Sequence, residues 1–234
     1  GASLIAYRLA AGDDGSGTFN LGGGTLDLRF AASLGAAGIV QGSGALSTTA
    51  GFSNGGKVKL SGPSSVRGAF TNEPGGSVEV SGLQPTIFFD SVVNNGQFTV
   101  KAGAAAVFEN GFSGSGAPSA ALSVAGTAQF QGAATVAALT VAGSVAAPTG
   151  TVDLASHALV ITASVDGASN GGGTVALANV RKLVIAGNQS GNVGPGVVSS
   201  AALADSRLEV GYARAGDLFG GHGGTFLGQS VNAD

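Results

Sequence analysis

The middle of the chain alternates polar and apolar residues in short runs that return every twenty residues. Gly55-Gly56-Lys57-Val58-Lys59-Leu60, Gly75-Gly76-Ser77-Val78-Glu79-Val80 and Asn95-Gly96-Gln97-Phe98-Thr99-Val100 share one pattern: a turn signal, then polar, apolar, polar, apolar. A side-chain period of two puts the apolar members on one side of a strand. Each run is followed by a second apolar pair: Val66 and Phe70, then Phe88 and Val92, then Phe108 and Phe112. A unit this short, with two strands, cannot bury its apolar side alone but can do so by stacking on copies of itself. The period therefore predicts one coil of a parallel β-helix, an all-β solenoid. Equivalent side chains in stacked strands lie about 4.8 Å apart. Phe88 and Phe108 are expected to form an aromatic ladder in the core, and Phe70 and Phe112, with Val92 between them, a second.

The flanks read less regularly. Ser3 to Leu9 alternates, with Ile5, Tyr7 and Leu9 on one side and Leu4, Ala6 and Arg8 on the other. A Gly- and Asp-rich hinge follows it. Phe19, Leu21, Leu26, Leu28 and Phe30 mark short strands, and Ile39, Val40, Leu46 and Phe52 are expected to point inward. After Pro118 the pairs Leu122/Val124, Leu139/Val141, Val152/Leu154 and Leu159/Ile161 mark further strands with smaller side chains. From Asp166 the period changes. Leu177, Val180 and Val184 share a helical face, Thr174 is placed to cap the N-terminus and Gly187 to close the C-terminus. A second short helix is expected from Ser199 or Ser200 through Ala204. The resulting division is an N-terminal strand and hinge over 1–17, a parallel β-helix over 18–165 and an α+β cap over 166–234 that covers the last coil. Some seven to nine coils would make a rod of roughly 35–45 Å.

Composition narrows the picture. Glycine supplies 43 of 234 residues, far above the usual share of about 7%. It shows no Gly-X-Y period, so collagen is excluded. Aromatics are 6% and Trp and Met are absent, so small side chains must fill the core. Charged residues are 10% with a net charge of −3, which leaves no basic patch to neutralise nucleic-acid phosphates. Without cysteine the chain has neither disulfides nor thiolate metal sites. No run of eighteen apolar residues predicts a membrane-spanning helix. A start at Gly1-Ala2-Ser3 without Met fits a secreted product whose signal peptide was removed.

The C-terminal third carries a resemblance. The segments Thr151 to Ile161, Arg181 to Gly187, Gly194 to Ser200, Val210 to Asp217 and Gly224 to Ser230 resemble the C-terminal region of secreted autotransporter-associated β-strand repeat proteins of environmental bacteria of the planctomycete type. The resemblance covers about the last 80 residues, and residues 55–114 are similar in style only. It implies an extracellular β-helical protein and supplies no catalytic residue.

Candidate chemistry is sparse. Asp13 and Asp14 are adjacent, but they sit in a Gly-rich turn, and neighbouring strand residues point apart. Asp90 and Glu109 occupy nearly equivalent positions in successive coils, where a carboxylate pair would suit glycan cleavage; solvated acids or turn caps are the plainer reading. Asp90 and Asn110 lie midway between the paired core positions and are candidates for an inward hydrogen-bonded ladder. His157 and His222 are the only histidines, 65 residues apart with no Cys, which does not make a metal site. Gly220-Gly221-His222-Gly223-Gly224 lacks the tandem Asp of a calcium repeat. Gly22-Gly23-Gly24 opens no helix and is no phosphate loop. Asn188-Gln189-Ser190 is a lone glycosylation sequon. Lys57, Lys59 and Lys101 lie near asparagines, the raw material of an isopeptide bond, but no buried acid catalyst is visible.

These features predict a structural protein, not an enzyme, with no cofactor and no metal. The expected partners are copies of itself, with glycans as possible decoration. The expected role is an extracellular filament or cell-surface subunit that polymerises head-to-tail, the N-terminal strand pairing with a neighbour through Ile5, Tyr7 and Leu9. The alternatives are an extracellular carbohydrate-binding or polysaccharide-processing β-helix, and a stalk that spaces another domain from the cell.

Overall fold

A computed structural model describes residues 3–6, 10–11, 16–114, 120–132, 134–141, 151–153, 158–166, 174–178, 182–185, 197–200, 207–210, 224–226 and 229–231. Among them every regular element is a strand. The strands pair in parallel, coil on coil, into a β-solenoid of about six turns. Each coil contributes three short strands, so the solenoid has three faces. Face one stacks Thr25–Leu28, Thr86–Phe88, Ala105–Phe108 and Thr127–Phe130 with the second halves of Gly38–Thr48 and Lys57–Arg67. Face two stacks Ala32–Leu34, Phe52–Asn54, Phe70–Asn72, Val92–Asn94 and Phe112–Ser113. Face three stacks Gly17–Asn20, the first halves of the two long strands, Ser77–Ser81, Gln97–Val100 and Ala121–Val124. The two-strand period expected from the sequence thus resolves into three strands per coil. The extra one is the three-residue segment typified by Phe70–Asn72.

The register follows the repeats. Val58, Val78, Phe98 and Leu122 align down face three. Val66, Phe88, Phe108 and Phe130 align down face one, and Phe52, Phe70, Val92 and Phe112 down face two. All of these are buried. The rings of Phe88 and Phe108 stack with centroids 5.2 Å apart, and Phe108 stacks on Phe130 at 4.8 Å. Phe112 meets Phe108 edge-on from the neighbouring face, so the two aromatic columns interlock at the centre.

Several residues sit elsewhere than expected. Ile39 pairs with Lys57 on the outward row and is only half-buried. Phe30 is 60% exposed at the corner between faces one and two. The expected helix from Thr174 to Gly187 is instead two strands, Thr174–Ala178 and Lys182–Ile185, which continue faces one and two in parallel register. Val197–Ser200 is likewise a strand, paired to Thr174–Ala178, where a second helix was expected to begin; residues 201–204 lie outside the described ones. Parallel pairing therefore runs well past the expected boundary at 165. The last parallel pair joins Val197–Ser200 to Gly224–Phe226, which then turns back as an antiparallel pair with Gln229–Val231.

Candidate functional site

Outward-facing side chains decide what each face can do, because inward ones are spent on the core. The Asp90 and Glu109 pair does not assemble. Phe88 aligns with Phe108, so the same register carries Phe89 opposite Glu109 and Asp90 opposite Asn110. Asp90 is half-buried and accepts a hydrogen bond from the Gly68 N–H at 2.7 Å. It pins the corner of the preceding coil. Asn110 is exposed, not inward, so the expected Asp90–Asn110 ladder is not formed.

A buried polar ladder exists in a different place. Asn54, Asn72 and Asn94 end successive strands of face two with their side chains inside. The Asn54 Nδ2 donates to Asn72 Oδ1 at 2.7 Å, and the Asn72 Nδ2 donates to Asn94 Oδ1 at 2.8 Å. The same nitrogens also donate to the carbonyls of Ser77 and Gln97, at 3.1 Å each, and Asn94 donates to the Ala121 carbonyl. Each amide thus ties its own coil to the next at the corner between faces two and three. Sequence reasoning missed this ladder because Asn one to three residues ahead of a Gly reads as a turn. The available signal was its recurrence at that corner in three coils.

The remaining sequence candidates fall as follows. Ile5 lies in Ser3–Ala6, which pairs in parallel with Thr25–Leu28 of its own chain; Leu4 takes the register position over Leu26, and Ile5 the one over Asp27. Tyr7, Leu9, Asp13, Asp14, His157, Asn188 and His222 lie outside the described residues. Lys57 and Lys59 are exposed on face three, and Lys101 pairs with Glu79 at 3.3 Å. Phe89 faces outward, half-buried, with the Arg67 guanidinium 3.8 Å above its ring. Among the described residues no group of three or more His, Asp or Glu is placed to hold a metal, and no helix is long and apolar enough to cross a membrane.

The faces also differ in how much polar functionality they present. Face two shows a single row of Ser53, Thr71, Val93 and Ser113. Face one mixes the two kinds, with Asp27, Ser47 and Arg67 in one outward row and Ser65, the half-buried Ile87 and Val107, and Gln129 in the other. Face three carries Asn20, Gln41, Lys59, Glu79 and Thr99 in one row, and the Gln41 Nε2 donates to Asn20 Oδ1 at 2.7 Å. No protein family, curated protein or solved structure matches the chain.

Proposed function

We propose that this chain is a structural subunit of an extracellular filament or cell-surface assembly. The observation that carries the reading is the unbroken stack of coils. From Leu26 to Val152 the interior is filled by rung-on-rung contacts, and the buried polar residues described include no acid and no lysine. Such a molecule has length and stiffness to offer. The C-terminal resemblance to secreted β-strand repeat proteins supports the extracellular setting.

The assembly route we propose is strand pairing at the rung that holds Ser3–Ala6. Among the described residues Ser3–Ala6 pairs with one strand, Thr25–Leu28, and Leu4, in the column of the buried Leu26, is 48% exposed. A strand so held can receive a neighbour on its other edge, or leave its own coil and be donated, with backbone hydrogen bonds supplying affinity. A contact of this head-to-tail kind does not close and so propagates. Deleting residues 1–12 is expected to abolish polymers seen by electron microscopy and sedimentation while leaving folded monomer. Full-length protein that stays monomeric at high concentration overturns the reading.

A further inference from the structure

The corner between faces three and one is built from glycine. Gly42, Gly62 and Gly82 take φ of +101°, +82° and +87° in successive coils, a conformation that side chains strain to adopt. A β-carbon added to Gly82 would strike the Gly62 backbone at 2.6 Å, so the coils approach closely there. Beside these glycines, ahead of Ser43, Pro63 and the 89% exposed Leu83 that follow them, a trough runs along the edge of face three. Its wall on face three is polar. Gln41, Lys59 and Glu79 follow one another in register, with Asn20 above them and Ser61 and Ser81 alongside. Together they line a recess of about 270 Å³ with Gly42 in its floor.

We propose that this recess is a binding groove for a linear polysaccharide of uncharged sugar units lying along the rod. The groove offers amide, hydroxyl, ammonium and carboxylate groups at the strand spacing of about 4.8 Å, a spacing comparable to the length of one pyranose unit. Vicinal sugar hydroxyls both donate and accept, and this wall supplies both kinds of partner. The bond between Gln41 and Asn20 uses one donor and one acceptor, leaving the Gln41 carbonyl oxygen and the Asn20 amide nitrogen for a ligand. Other polymers fit worse. A peptide strand needs an open sheet edge, and along this side the strands are already paired both above and below. A polyanion would meet the Glu79 carboxylate beside Lys59 in the wall, so the row offers it no uniformly positive track. An apolar ligand would find no aromatic among the lining residues. The volume is just below the range of enclosed ligand sites, roughly 300–1,000 Å³, which suits a short stretch of a longer chain gripped weakly by several units at once.

The groove stands apart from the filament reading. Polymers that ignore glycans and monomers that bind them are distinguishable outcomes. The test is native gel electrophoresis of the intact chain through gels containing hydroxyethylcellulose, xylan or dextran, beside glycan-free and polygalacturonate gels. Migration is expected to slow in at least one of the uncharged glycans. Gln41→Ala is expected to weaken that retardation about five- to tenfold, the worth of one or two hydrogen bonds. Ser61→Tyr, which fills the trough from outside the core, is expected to remove it. Both variants should keep the parent's thermal unfolding midpoint. No retardation in any uncharged glycan, retardation by polygalacturonate alone, or retardation untouched by both substitutions overturns the proposal.

Discussion

Asn72 stands at the middle of the buried amide ladder, accepting from Asn54 and donating to Asn94. Truncating it strands two polar groups in a dry corner. Asn72→Ala is expected to cost roughly 2–4 kcal/mol, read as a lowered denaturant midpoint at unchanged slope. The column in which it lies also holds Leu34 and Val136, both buried, so the site itself accepts aliphatic groups. Replacing Asn54, Asn72 and Asn94 together by leucine is therefore expected to cost less than the sum of the three single alanine variants, since no side-chain amide of the ladder is then left without its amide partner. The opposite error sits on face one. Thr86 and Ser64 oppose each other in register, buried, with hydroxyls that find no partner. Thr86→Val keeps the shape and removes one orphan. It is expected to raise stability by about 1 kcal/mol, visible as a higher unfolding temperature.

Strands of three to five residues have no independent stability, so each element depends on the column it joins. Phe108 contacts Phe88, Phe98, Phe112 and Phe130. Phe108→Ala is expected to cost roughly 3–5 kcal/mol, whereas Phe30→Ala, at an exposed corner, should stay within about 0.5 kcal/mol of the parent; denaturant titration of both variants checks the contrast. At this scale the sequence was legible wherever a strand was long enough to alternate. Val58, Val78 and Phe98 announce face three, and the pairing of Val66 with Phe88 and Phe108 announces face one. Face two was legible only in part: Phe70, Val92 and Phe112 were expected in one column, but Phe70–Asn72, with one outward residue, Thr71, and one apolar inward one, is too short to read as a strand of its own. Its second inward residue is Asn72, and an Asn reads as surface until its partners in the coils above and below are known. The segment 174–187 misled for another reason. Its alanines favour a helix and Leu177, Val180 and Val184 share a helical face, yet Val175/Leu177 and Leu183/Ile185 also fit strand alternation. Propensity is a weak prior, and pairing with the preceding coil decided the matter. The recess on face three was not legible at all. Its wall joins residues from four coils, and its floor depends on how closely glycine corners stack.

In a solenoid each coil touches only the ones above and below, so stability is close to a sum of nearest-neighbour terms. The terms are unequal here. Residues 52–112 hold both the asparagine ladder and most of the stacked rings, whereas Gly17–Asn20 begins face three with Phe19 only partly buried. Amide hydrogen exchange is expected to be slowest in the strands from Phe52 to Phe108 and faster by at least about tenfold in Gly17–Asn20. Uniform protection along the rod would contradict that gradient.

Equivalent rungs also bear on how such a molecule can change over generations. Because Val58, Val78 and Phe98 occupy the same station in consecutive coils, tandem duplication or loss of one whole unit leaves every junction familiar. The protein's reach is therefore adjustable in fixed increments. A gain or loss of a single residue within a rung has no such licence, since it turns the interior outward from that point.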